Sequence, residues 1–364
     1  MKISSLHLTF LEIPFKQTVS HASASRSVTE SVLVTAHSTE GLVGVGEGCP
    51  RRYVTGESVE SARAFVETHR RIWEQWSTLN DLRCWAASHE ALIDCNPAAW
   101  CALETACLDL LGKELCRPIE SLLSVPCLSG PFRYSAVLGT DNPETFQQQL
   151  ALYLAIGFTD FKIKVTGNVP MDRHKIDRLK ESSDPGLPVR LDANNLWKTP
   201  QEASDYVERL NYPFWAIEEP LQVGDYDGCR VLSRELGLPI ILDESFLRTE
   251  QFASIQDTPS TWIINIRISK MGGLLRSLAV AERAKEVGIP IIVGAQVGET
   301  SILTRAALTV ANAYRDMVVA QEGAFGTYLL EREICQPVLM FSKEGRIAID
   351  SLNTAPGLGL TVAT

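Results

Sequence analysis

The chain has 364 residues, 45% of them apolar and 21% charged, with a formal net charge of −10. At ~150 residues per domain, that length suggests two domains and a large buried core. The acidic balance leaves no basic stripe to neutralise phosphates, and no apolar run reaches the ~18 to 20 residues of a membrane span, so neither a nucleic-acid nor a membrane partner is expected.

Residues 1–15 alternate apolar and polar side chains, the pattern of a strand rather than of a secretion signal. The nine cysteines are an odd number with no CxxC pair, which points to reduced thiols and a cytoplasmic location. Cys101 and Cys107 read as small core residues of a helix. Residues 2–14 and 31–37 read as strands, joined by a polar loop at 16–27 that carries His21 and Arg26. Past the turn Gly44-Val45-Gly46-Glu47-Gly48 the apolar spacing becomes helical over 58–76 and 98–111. In the second helix Trp100, Leu103, Ala106, Cys107, Leu110 and Leu111 share a face, leaving Glu104 and Asp109 for solvent. This α+β unit spans 1–128 and ends where Pro126 and Pro131 bracket a boundary.

Beyond it, β-type runs fall at 132–139, 160–165, 189–194, 214–220, 239–245, 262–270, 289–297 and 316–322, starting 23 to 29 residues apart. Helical patterns lie between them, as at 145–156, 200–210 and 274–287. Eight strands alternating with helices predict a (β/α)8 barrel over 129–328, an α/β fold with the N-terminal α+β unit as a cap. No P-loop or GxGxxG is present to support an open doubly wound sheet. Residues 329–364, with a strand-like Ala348-Ile349-Asp350, are expected to pack back on the cap.

In Phe161-Lys162-Ile163-Lys164-Val165 both lysines share one face of a buried strand, which is costly unless carboxylates or an anion face them. Barrel chemistry sits at the C-terminal strand ends. There the chain presents Asp192, Glu218-Glu219 and Asp243-Glu244 on three successive strands, then Arg267 and Lys270, Gln296 and Glu299, and finally Glu322. Three carboxylates at one height suit an all-oxygen site for Mg²⁺, with Mn²⁺ as the alternative. Beside a lysine, such a site acidifies the α-C–H of a small carboxylate and stabilises the resulting enediolate.

Phe161-Lys-Ile-Lys164, Leu191-Asp-Ala-Asn194-Asn-x-Trp197, Ile217-Glu-Glu-Pro220, Leu242-Asp-Glu-Ser245 and Asn265-Ile-Arg-Ile-Ser-Lys-Met-Gly-Gly273 resemble the motif series of the enolase superfamily, nearest its muconate cycloisomerase-like group. The resemblance implies Asp192, Glu218 and Asp243 as metal ligands, Lys164 as acid/base and Lys162 as its neighbour. It implies outer positions for Glu219 and Glu244 and a cap loop near His21 that closes over substrate; Asn194, Lys270, Gln296, Glu299, Glu322 and Arg26 are expected as further outer or substrate-binding positions. The sixth strand departs from the family pattern, with Arg267 where a second lysine is usual and Lys270 on the strand's other face. Arginine is a poor proton shuttle, which favours a one-face reaction: a muconate-type cycloisomerase or a syn-eliminating lyase. The eighth-strand segment from Glu322 lacks the Asp-x-Asp of dipeptide epimerases and leans the same way. An epimerase or racemase of dipeptides or N-acyl amino acids is the second reading, and a metal-binding barrel without turnover the third. A closed homo-oligomer is the expected assembly.

Overall fold

Eight strands, Ala136–Leu138, Phe161–Lys164, Val189–Asp192, Ala216–Glu218, Ile240–Leu242, Trp262–Ile266, Ile291–Val293 and Val318–Gln321, pair in parallel in chain order. The computed structural model describes residues 2–21, 24–140, 142–182, 186–349 and 352–363. The last strand returns to the first, where the Ser135 N–H donates to the Gln321 carbonyl at 2.7 Å. This is the (β/α)8 barrel that the spacing predicted, with helices such as Pro143–Ile156, Pro200–Leu210 and Leu274–Val287 between strands.

Side-chain alternation sorts each strand into two faces. Outward residues such as Ile217, Ile240, Leu242, Ile264 and Ile291 join the main core beneath the helices. Inward, Ala216, Ile241, Ile263 and Ile292 form a separate dry cluster. Two residues further along the same strand faces come Glu218, Asp243, Asn265 and Gly294, so the polar site rests on an apolar plug.

The cap is an antiparallel sheet, Ile3–Leu11, Ser31–Ser38 and Val43–Gly48, packed on the helix Pro97–Glu114. Gly44, Gly46 and Gly48 occupy one face of their strand, and a Cβ there would come within 2.2, 2.1 and 2.0 Å of the carbonyls of Ala106, Ala102 and Ala98. The glycine run is therefore a contact surface for one helix face rather than only a turn. Cys101 and Cys107 are buried in that helix.

Several expectations need correction. Residues 16–27 are not a loop: Pro14–His21 and Ala24–Val28 form an antiparallel hairpin, whose polar composition hides main-chain pairing such as Val19 opposite Arg26. Glu104 and Asp109 are buried, because each receives backbone N–H groups from distant chain. Glu104 accepts the Leu275 N–H at 2.9 Å, at the start of Leu274–Val287, and Asp109 accepts those of Val45 and Leu358 at 2.9 and 2.8 Å. The sixth strand stops at Ile266, since Ile268–Met271 turns into a short helix. Near the C-terminus Arg346–Ile347 pairs with Phe132–Arg133 and Thr361–Val362 with Cys335–Gln336, while residues 348 and 349 are in no strand; Asp350 lies outside the described residues. Among those residues no helix is long and apolar enough to cross a membrane.

Candidate active site

Lys162 and Lys164 close the second barrel strand on its inward face. The Lys162 Nζ lies 2.6 Å from Glu218 Oε2, 3.1 Å from Asp192 Oδ2 and 3.2 Å from Glu322 Oε2. Burial alone would lower its pKa, but those three carboxylates outweigh it and hold the ammonium charged. Lys164 is the more accessible of the two: its Nζ lies 2.8 Å from Asp192 Oδ2 and donates to Asn194 Oδ1 at 2.9 Å.

Asp192 and Glu218 are direct register partners on adjacent strands, and Asp243 follows the fifth strand. All three are buried. Glu218 Oε1 accepts from Asn265 Nδ2 at 3.1 Å, and Asn265 fits there because a Cβ on Gly294 would stand 2.2 Å from its Oδ1. Burial pushes Glu218 up, against the pull of Lys162. Asp192 and Asp243 go the other way: burial would raise them, but the cations beside each prevail.

Lys270 does not sit on the strand's other face. It lies in the Ile268–Met271 helical turn, which swings its buried Nζ back to Asp243 Oδ1 at 2.8 Å and to the carbonyls of Asp243 and Asn265. Arg267 pairs with Asp243 Oδ2 and lies 3.6 Å from Glu218 Oε1 and 3.5 Å from Gln296 Oε1. With Lys162 and Arg267 among the carboxylates, no three acidic, histidine or cysteine side chains among the described residues stand ready to enclose a metal ion. Asp192 Oδ2 and Glu218 Oε2 are nonetheless buried oxygens without a well-formed hydrogen bond, facing only ammonium groups.

Glu219 braces this floor. Its backbone is left-handed, φ +41°, a conformation that a side chain other than glycine holds only when its surroundings over-determine it. Here the carboxylate accepts the N–H groups of Asp243 and Ser245 at 2.6 and 2.8 Å, the Ser245 hydroxyl at 2.8 Å and Asn195 Nδ2 at 3.0 Å. Glu244 is half-buried beside Asp243 and pushed up to about 8 by desolvation and that neighbour.

The strand ends open into a cavity of about 510 Å³. Lys162, Lys164, Asn194, Glu244, Arg267, Gln296, Glu299 and Glu322 line its floor. Arg26 does not face it: the guanidinium is held by Glu30 at 2.9 Å and by the Tyr53 hydroxyl at 3.3 Å, and Tyr53 lines the cavity instead. The side chain of His21 lies outside the described residues.

Sequence reading missed Arg190 and Asp160. Arg190 bridges Asp160 Oδ2 at 2.6 Å and Glu322 Oε1 at 2.7 Å, tying Glu322 into the barrel interior. Both stand two residues before a recognised polar position, Lys162 or Asp192, so the same period-2 alternation carried the signal.

The family described as enolase C-terminal domain-like matches residues 145–364. The chain belongs to that family. It is an enzyme of the enolase superfamily. The chain is 28% identical to a hydrophobic dipeptide epimerase of Enterococcus faecalis, over 90% of this chain and 92% of the relative. A crystal structure of a dipeptide epimerase from that organism, with Mg and L-Leu-L-Tyr, superposes with a TM-score of 0.87 at 26% identity, covering 99% of this chain and all of the other. An N-succinyl-L-Arg/Lys racemase of Bacillus cereus is 27% identical over 100% of this chain and 96% of its own. Muconate lactonizing enzyme of Pseudomonas putida shares the fold, with a TM-score of 0.86 at 24% identity over 100% and 97% of the two chains. The cycloisomerase expectation thus has a counterpart in fold alone, whereas these sequence relatives back the epimerase or racemase reading.

Proposed function

We propose that the enzyme moves a proton at the α-carbon of a small amino-acid-derived carboxylate, of the dipeptide or N-acyl amino acid class, with Lys164 as acid/base. The observation that carries this is Lys164 itself. Its amine faces the cavity beside Asp192, while the charge of Lys162 is neutralised by three carboxylates. Asn194 orients the amine. Asp192, Glu218 and Asp243 would hold Mg²⁺, or Mn²⁺, an assignment supported by their all-oxygen donor set and by the buried oxygens of Asp192 and Glu218. When bound, the ion supplies positive charge against the negative charge that develops on the substrate carboxylate as its α-proton leaves.

Epimerisation is the first reading, supported by relatives of that activity that match over nearly the whole chain. It requires a proton to return on the side of Arg267, from the sixth strand, opposite Lys164 on the second. One specific observation favours a second reading. Coulombic contact with Asp243 and Glu218 overcomes the effect of burial on Arg267 and raises its already high pKa, so it is a cation that binds rather than a group that shuttles protons. A one-face elimination or cycloisomerisation uses Lys164 alone.

The experiment is incubation of the Mg²⁺-loaded enzyme in D₂O with L- and D-forms of a dipeptide and N-acyl amino acid panel, followed by NMR and chiral analysis. Deuterium entry with inversion supports epimerisation, and entry with retention or loss of a leaving group supports the one-face reading. No exchange into any member would remove both.

A further inference from the structure

We infer that Asp172 and Lys175 are positioning residues for Lys164: as a buried ion pair behind the second barrel strand, they grip the chain on both sides of Val165 and so set where the Lys164 amine reaches into the cavity. This rests on the proposed role of Lys164 as acid/base.

The strand Phe161–Lys164 and the helix Val169–Ser182 are joined by only four residues, 165–168. Asp172 and Lys175 stand three residues apart on that helix, a spacing that puts them side by side, with Lys175 Nζ 3.3 Å from Asp172 Oδ1. Lys175 Nζ donates to the Lys164 carbonyl at 3.2 Å. Asp172 Oδ2 accepts the Thr166 N–H at 2.7 Å and the Thr166 hydroxyl at 3.2 Å. The peptide groups just before and just after Val165 are thus held by opposite charges of one pair. Tyr206, on the Pro200–Leu210 helix, supports the pair from behind: its hydroxyl donates to the same Asp172 oxygen at 2.6 Å.

Lys175 and Asp172 are 3% and 1% exposed, so both charges have given up their water. Such a pair adds little stability beyond that of apolar side chains of the same size, and stability alone explains it poorly. What it fixes is the exit of the chain from the strand that carries Lys164.

Lys164 depends on that exit more than Lys162 does. Three carboxylates fix the Lys162 amine, whereas the half-buried Lys164 is held at its tip by Asp192 and Asn194. Its stem passes Gly139, where a Cβ would stand 3.1 Å from Lys164 Cδ, so the side chain has little room to correct a shifted backbone. A displacement of ~1 Å at a reacting group can cost as much as ~10²-fold in rate.

The test is Asp172→Asn combined with Lys175→Met in the full-length Mg²⁺-loaded enzyme, which removes both charges together and leaves neither buried alone. It reads kcat and KM for α-deuterium exchange, the melting temperature, and the mobility of the Lys164 side chain from NMR relaxation of ¹³Cε-labelled lysine. kcat should fall about 10-fold or more with KM changed by less than about 2-fold, and the Lys164 ε-carbon should loosen while that of Lys162 does not. Tyr206→Phe, which removes only the outer support, should shift kcat and Lys164 mobility the same way by about 2- to 3-fold, and carries the test if the double variant does not fold. Ile176→Ala, which empties core beneath the same helix, should lower the melting temperature with kcat and Lys164 mobility unchanged. A Lys164 ε-carbon as ordered as in wild type overturns the inference whatever happens to kcat, as does an equal loss of kcat in Ile176→Ala. A loosened Lys164 with unchanged kcat leaves the positioning standing and defeats the acid/base role proposed for Lys164.

Discussion

Replacing Glu219 should cost the site its geometry in a graded way. Its carboxylate accepts four hydrogen bonds, two of them from the buried N–H groups of Asp243 and Ser245. In Glu219→Gln the amide oxygen keeps both N–H groups and the new NH₂ can donate to the Ser245 hydroxyl, but it opposes the donor on Asn195. One bond is lost, together with the charge assistance on the others, a cost of about 2 kcal/mol. In Glu219→Leu both N–H groups are orphaned and all four bonds vanish, a cost of about 4–6 kcal/mol at the ~1–3 kcal/mol typical of each unsatisfied group. The left-handed backbone at φ +41° loses its compensation in the same variant. Urea unfolding followed by far-UV circular dichroism gives the stability difference at constant slope. Turnover should fall in the same order, because Asp243 hangs from the affected strand end. If leucine proved no more destabilising than glutamine, Glu219 would not be the brace described.

Other outcomes follow from the same geometry. Burial pushes Glu57 up to about 7 from an ordinary 4.5, so the folded state binds its proton more tightly than the unfolded chain does. Its contribution to stability is full below pH 4.5 and is lost as pH rises through about 7; a melting series from pH 5 to 8 should decline, less steeply in Glu57→Gln. Arg267→Lys places a titratable amine across from Lys164 and should raise the rate of α-carbon inversion by ~10²-fold, the lower end of general acid–base catalysis; an unchanged rate by chiral chromatography would deny Arg267 that position. Mg²⁺ at ~100 times its dissociation constant should stabilise the fold by about 2.7 kcal/mol, reversed by chelator and absent in Asp243→Asn, as read by thermal shift.

The sequence carried the barrel well because period-2 alternation and helix spacing are local properties. Asp192, Glu218 and Asp243 were visible for the same reason, each following an apolar strand residue. What it could not carry is what each buried charge meets across the fold. Glu104 and Asp109 lie on a helix buried along nearly its whole length, where backbone N–H groups of distant chain, such as that of Leu275, join the nearby Trp100 indole N–H and Lys113 ammonium as their partners. Glu57 likewise receives the N–H groups of Ala98 and Ala99, and Glu120 holds Arg305 in a buried bidentate pair, contacts more than forty residues apart in sequence. Arg26 looked like a lid residue because its loop was polar, but its partners Glu30 and Tyr53 belong to the cap. Lys270 was misplaced by extending a strand through a helical turn that no propensity in Ile268-Ser269-Lys270-Met271 announces.

The central claim is that Lys164 exchanges the α-proton. The most direct measurement is α-deuterium wash-in from D₂O into a confirmed substrate, comparing wild type with Lys164→Ala at saturating Mg²⁺, with circular dichroism showing both folded. The account predicts a loss of at least about 10²-fold in exchange, with substrate binding retained. Exchange persisting near the wild-type rate in a folded Lys164→Ala would contradict it.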